Sequence, residues 1–228
     1  MTRTSHHKDK AAADIESLAT HHYFDREFSV KAVKLLPNEY YVSDDDMLLT
    51  TVLGSCIAAC IRDPVLGVGG MNHFMLPDDS GPSVQTGSAS MRYGAYAMEV
   101  LINALLSAGA KRERLEAKVF GGATVLSDMS VSRIGERNSE FILRYLELER
   151  IRVVAQDLKD KFPRRVNYLP RSGQAMVRRL KSRDAQIESR EKSLAKTLAS
   201  SGKKKAPSIE LFDNINQIKS KKLGGVQS

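Results

Sequence analysis

The chain has only two cysteines in 228 residues, Cys56 and Cys60. They stand too close in sequence to staple distant parts of a fold, and free thiols fit a reducing compartment, so no disulfide is expected. No run approaches the roughly 18 consecutive apolar residues of a membrane span, and the opening MTRTSHHKDKAAAD lacks the apolar core of a secretory signal. A cytoplasmic protein without membrane insertion is the expectation. Also missing are a phosphate-binding glycine loop, a dinucleotide fingerprint and a GxSxG elbow, the usual marks of nucleotide, nicotinamide and serine-hydrolase chemistry. Neither a cofactor nor a metal is expected.

A hydrophobic content of 42% suffices for a real core. The net charge of +8 is unevenly placed. Arg178 to Ser228 carries 13 Lys and Arg against 5 Asp and Glu, which leaves Met1 to Val177 balanced at 22 against 22. The basic excess therefore belongs to a C-terminal tail. Such a tail is suited to nucleic acid, acidic lipid or an acidic protein face. A neutral body, and no aromatic residues interleaved with the tail's cations, argue against nucleic acid as a partner.

Composition divides the chain into an extension (residues 1–27), a domain (28–180) and a polar, basic tail (181–228). The extension holds two histidine pairs, His6–His7 and His21–His22, without acidic or thiol ligands at fixed spacing, and reads as frayed. SVKAVKLLP and EYYVS read as short strands, and Asp44, Asp45 and Asp46 as a loop, because consecutive residues on an extended chain point apart and cannot chelate together. After a polar loop, LPDDSGPSVQTGSAS, comes the clearest helix, MRYGAYAMEVLINALLSAGA. Its apolar stripe is Met91, Ala95, Met98, Leu101, Ile102 and Leu105, with Ser88 or Ser90 as cap and Gly109 as stop. A strand from Ala117 to Phe120 runs into Gly121 and Gly122, where missing side chains let a backbone or a ligand approach closely. SVSRIGERN reads as a loop into a second helix, about Asn138 to Arg150, capped by Asn138, with Phe141, Ile142, Tyr145 and Leu146 on its apolar side. IRVVAQDL is a strand, and RRVNYLPRSGQAMVRRL a closing hairpin. The order predicts an α+β domain of mostly antiparallel sheets with two helices covering one face.

The stretch from Leu49 to Pro77, LTTVLGSCIAACIRDPVLGVGGMNHFMLP, carries the candidate chemistry. It holds Cys56 and the only histidine beyond residue 22, His73. Read as a hairpin turning at DPVLG, with its centre between Pro64 and Val65, it sets Cys56 directly opposite His73 on one face, their Cβ atoms roughly 4.5 to 5.5 Å apart. A thiol and an imidazole so placed form a nucleophile and base pair. The small residues Gly54 and Ser55 before the cysteine, with Gly121 and Gly122, are candidates for contact with a substrate. Cys60 lies on the same face, roughly 13 Å along the strand from Cys56, and reads as packing.

LGSCIAACIRDP followed by GGMNHFMLP resembles the CheD family, the chemoreceptor glutamine deamidases of bacterial chemotaxis. The likeness runs from about Tyr40 to Leu180 through FGGA (Phe120 to Ala123), IGERN (Ile134 to Asn138) and PRRVNYLPRSG (Pro163 to Gly173). It implies Cys56 as nucleophile, His73 as base and Thr50, six residues before the cysteine, as the group that orients the imidazole, with Thr51 beside it as the alternative. It also implies a layered α/β sandwich like that of toxin-type glutamine deamidases, and the cytoplasmic domains of methyl-accepting chemotaxis receptors as substrate. Many members of the family bind a CheC-type phosphatase, and some act on methyl esters. A non-catalytic adaptor for receptors or the phosphatase is the rival reading.

Overall fold

The computed structural model describes residues 19–77, 89–124 and 129–180, with the isolated positions 189, 193 and 196. Within them lie ten strands and two α-helices: β1 (His21–Asp25), β2 (Val30–Lys34), β3 (Glu39–Ser43), β4 (Leu48–Leu53), β5 (Ile57–Asp63), β6 (Val68–His73), α1 (Ala89–Ser107), β7 (Glu116–Gly121), α2 (Met129–Leu148), β8 (Arg152–Leu158), β9 (Arg164–Tyr168) and β10 (Ala175–Arg179). They build two five-stranded sheets, ordered β1-β2-β4-β9-β10 (the outer sheet) and β3-β6-β5-β7-β8 (the middle sheet). Pairing is antiparallel except for β2 with β4 and β7 with β8. Both helices pack on strands of the middle sheet, so the layers run helices, middle sheet, outer sheet. This is the α+β arrangement expected.

Strand alternation sorts the interior into two layers. Ile57, Ala59 and Ile61 of β5 face the helices and join Met98, Leu101 and Phe141. Cys56, Ala58 and Cys60 face the outer sheet and meet Leu49, Leu53 and Tyr168. Each such side chain contributes roughly 1.5 to 3 kcal/mol when an aliphatic or aromatic one is fully buried. The stripe read from α1 is the buried one, with Met98, Leu101, Ile102 and Leu105 covered. The helix ends at Ser107 and the chain turns at Gly109, whose φ is +95° and whose N–H donates to the Leu106 carbonyl.

Three readings need correction. β1 lies in the stretch read as a frayed extension; its residues are almost all exposed, so they carry no apolar alternation, and it is held by ladder bonds to β2. α2 begins nine residues before Asn138. IGERN looks like a loop because of its glycine and asparagine, yet both are packed helix residues with tertiary contacts. Ser90 likewise stands inside α1, buried, and is not its cap. The alternative cap Ser88, the loop from Asp78, His6 and His7, and nearly all of the basic tail lie outside the described residues. Among the described residues, no helix is long and apolar enough to cross a membrane.

Candidate active site

The turn joining β5 to β6 sets the register of the site. Asp63 Oδ1 accepts the N–H groups of Val65 and Leu66, the Gly67 N–H donates to the Asp63 carbonyl, and Gly67 takes φ +76°. The loop is therefore four residues long and centred between Val65 and Leu66. Cys60 pairs with Met71 and Ile57 with Phe74. Continued along the strand, this register puts Ala58 opposite His73 and leaves Cys56 two residues away on the diagonal, a spacing of roughly 7 to 8 Å. The direct opposition expected from the sequence is thus corrected by two residues. An even shift keeps both side chains on the same face, and that face looks onto the outer sheet.

Across the gap stands Thr51. Its Oγ1 lies 2.8 Å from His73 Nδ1 and 2.8 Å from the Leu35 carbonyl oxygen. A hydroxyl has one proton and a carbonyl can only accept, so the proton goes to Leu35 and the hydroxyl oxygen accepts from Nδ1–H. That assigns the tautomer: the neutral imidazole keeps its lone pair on Nε2, where it can take a proton. Thr50, the residue favoured from spacing, points to the other face and donates to Asn167 Oδ1 at 2.6 Å. Alternation along β4 turns residues 49, 51 and 53 toward the middle sheet and residue 50 away. The structure therefore joins Thr51, and not Thr50, to His73, on the face that Cys56 shares.

The bend Gly54–Ser55 before Cys56 is tied down carbonyl by carbonyl. The Gly54 oxygen accepts the Ala123 N–H and the Cys56 oxygen the Gly122 N–H, both at 2.8 Å. Asn138 Nδ2 donates to the Ser55 oxygen at 2.8 Å. Gly121 and Gly122, read as open to a ligand, are approached by the protein itself. A Cβ on Gly121 would sit 2.0 Å from the Cys56 oxygen, and one on Gly122 2.0 Å from Ser139 Oγ. Gly135 of α2 packs as tightly, 2.6 Å from its Cβ position to the Gly122 oxygen. FGGA and IGERN are thus two sides of one contact beneath the cysteine loop. Arg164, fully buried on β9, reinforces it by donating to the carbonyls of Gly121, Asp157 and Lys159.

Sequence reasoning overlooked Asn138 and Arg164 as supports of this loop. IGERN and PRRV were visible as motifs, but only tertiary contact shows what their polar side chains hold. Tyr93 was overlooked as well. It packs half-buried against the layer holding Cys56, and burial, followed by the nearby Cys56 charge, pushes its phenol up to about 12. It stays protonated at neutral pH. Cys60 differs from Cys56 in surroundings: burial raises its thiol far above the ordinary range, with Lys118 opposing only weakly. Such a setting disfavours the thiolate and agrees with a packing role. Both cysteines are buried, and neither is in a disulfide.

The molecule is thus a three-layer α+β sandwich that carries a thiol and a threonine-held imidazole on one face between its two sheets. A family model described as CheD chemotactic sensory transduction matches residues 75–179. A protein of Cupriavidus pinatubonensis named "Probable chemoreceptor glutamine deamidase CheD" is 60% identical over 200 residues, which cover 86% of this chain and 92% of that relative. Proteins of the same name from Cupriavidus metallidurans and Burkholderia vietnamiensis are 59% and 55% identical, over 86% of this chain and 91% and 80% of theirs. The chain belongs to the CheD family.

Proposed function

We propose that this protein is a cysteine-dependent protein-glutamine deamidase that converts glutamine side chains of methyl-accepting chemotaxis receptors to glutamate. The observation that carries the reading is the Thr51–His73 hydrogen bond on the buried face that Cys56 shares. It supports a base of defined tautomer next to a thiol, in a chain whose relatives bear that enzyme's name.

His73 Nε2 takes the Cys56 proton, and the sulfur adds to the carboxamide carbon of a glutamine, moving the carbonyl electron pair onto oxygen. The imidazolium is stabilised through Nδ1–H by Thr51. On collapse the C–N bond breaks, and His73 returns its proton to the departing nitrogen as ammonia leaves. Water, deprotonated by the same imidazole, then adds to the thioester; the C–S bond breaks and the thiolate recovers a proton. Amide plus water becomes carboxylate plus ammonium, with no cofactor in the balance. Each event adds one negative charge to a receptor helix and changes its packing electrostatics. The same chemistry opens methyl esters. The cytoplasm, where thiols stay reduced, is the compartment of this reaction, and a CheC-type phosphatase is the further partner that the family likeness implies.

The test is incubation of the purified protein with a receptor's cytoplasmic fragment. Ammonia release is expected, with a mass gain of about one dalton per converted glutamine, the difference between an amide and an acid. Binding of the fragment without any mass change would leave a non-catalytic adaptor instead.

A further inference from the structure

Asn138 is wholly buried on the face of α2 turned to the middle sheet. Its Oδ1 accepts the Leu76 N–H at 3.0 Å and its Nδ2 donates to the Ser55 carbonyl at 2.8 Å. One rigid amide thus joins the residue before the nucleophile to the residue three beyond the base. The task calls for an acceptor and a donor in one plane, which an apolar side chain or a carboxylate cannot supply.

The orientation of that bond has a chemical consequence. In a trans peptide the carbonyl and the N–H point in opposite directions. Asn138 approaches from the helix side of the middle sheet and fixes the Ser55 carbonyl toward itself. The Cys56 N–H, on the same peptide, is thereby turned toward the opposite side, where the Cys56 thiol and His73 lie. The carbonyls on either side, Gly54 and Cys56, are anchored on Ala123 and Gly122, so this peptide cannot rotate alone. A backbone N–H fixed beside an attacking sulfur is what a carbonyl oxygen gaining charge requires, because a donor set in advance needs no reorganisation during reaction.

We propose that Asn138 is a positioning residue for the deamidation, holding the Ser55–Cys56 peptide so that its N–H addresses the oxygen of the carboxamide attacked by Cys56. The inference rests on the deamidase reading above and extends it to the stabilisation of the tetrahedral intermediate. Thr51 and His73 make the thiolate; Asn138 governs what happens after the sulfur adds.

The two tasks separate experimentally with Asn138→Ala, which keeps the site uncharged. Deamidation of a receptor fragment should lose kcat by roughly 100-fold, the scale of one oxyanion donor, with KM little changed. The pH midpoint of Cys56 alkylation by iodoacetamide, which needs the thiolate and no oxyanion donor, should stay where it is in the wild type. A receptor peptide whose target carboxamide is replaced by an aldehyde, which forms a hemithioacetal with the cysteine, should bind more weakly in the same proportion as kcat falls. Retained kcat, a loss carried by KM, or an alkylation midpoint that moves with the rate would each overturn the proposal. Should the variant fail to fold, nitrogen-15-labelled wild-type protein gives a second answer: the Cys56 amide proton shifts downfield when the aldehyde peptide binds, and an unmoved resonance overturns the assignment. A wild-type protein that releases no ammonia sinks the deamidase reading itself, whereas an active wild type with an equally active Asn138→Ala sinks only this inference.

Discussion

Each end of the β5–β6 hairpin is held by one buried polar side chain, and the two differ in charge. At the turn Asp63, fully buried, gathers the N–H groups of Val65, Leu66 and Lys111 and the Arg114 guanidinium. Burial alone would raise its carboxyl; Arg114, with the Lys111, Leu66 and Val65 amides, outweighs that and holds it at about 2. At the open end Asn138 makes a comparable bridge without charge. Cys56 and Asp63 lie seven residues apart, roughly 23 Å along a strand. A carboxylate at the Cys56 end would oppose formation of a thiolate, whereas at the turn it has only structure to hold. The fold keeps its strong anion away from the sulfur.

The largest effect expected breaks the open end. Cys56→Ala and His73→Ala should each lower ammonia release by roughly 10,000-fold or more, as loss of a nucleophile or its base does, while thermal melting stays near wild type. Melting that collapsed along with activity would mean that these residues serve the fold.

At the turn the loss should fall on stability instead. Asp63→Asn leaves Arg114 without its partner and should cost roughly 3 kcal/mol in denaturant unfolding, with kcat unchanged in the folded protein. The native carboxyl titrates at about 2, below its ordinary 3.8. Its stabilisation is therefore complete above about pH 4 and is lost as pH falls toward 2. The variant should lack that part of the acid transition, and an identical acid profile would refute the assignment.

A smaller effect sharpens the contrast within β4. Thr51→Val removes the acceptor for His73 Nδ1–H and should reduce kcat by roughly 100-fold, the lower end of what general acid–base catalysis contributes. Thr50→Val loses only the Asn167 bond, about 1 kcal/mol of stability, and should leave kcat alone. Equal losses in both would return the orienting role to the residue chosen by spacing.

That choice illustrates where sequence reading ends. The α1 stripe, the closing hairpin and the strand at Ala117 to Phe120 were legible because burial on one face leaves a period in the residues. The candidate site's residue types were legible too, as thiol, imidazole and neighbouring threonines within the one stretch from Leu49 to Pro77. Which threonine faces the imidazole depends on the partner sheet, and β4 is buried enough on both faces that its own pattern cannot say. The register slipped by two because Asp63 lengthens the turn through side-chain bonds, which spacing does not record. The start of α2 was lost because Gly135 and Asn138 serve contacts to other elements, and helix propensity penalises both.

The smallest expected effect tests whether distance or surroundings chooses the nucleophile. In the observed register Cys56 and Cys60 each stand two residues from Ala58, the position across from His73, so separation along the ladder no longer disqualifies Cys60. What separates them is setting: Cys56 follows the Gly54–Ser55 bend, while Cys60 lies mid-strand, where burial suppresses its thiolate. Cys60→Ala should therefore keep the wild-type rate and lose only about 1 kcal/mol of packing. In the folded wild type iodoacetamide should label Cys56 and spare Cys60. A rate loss on the scale of Cys56→Ala, or labelling of both thiols at one rate, would show that the interior between the sheets does not distinguish them.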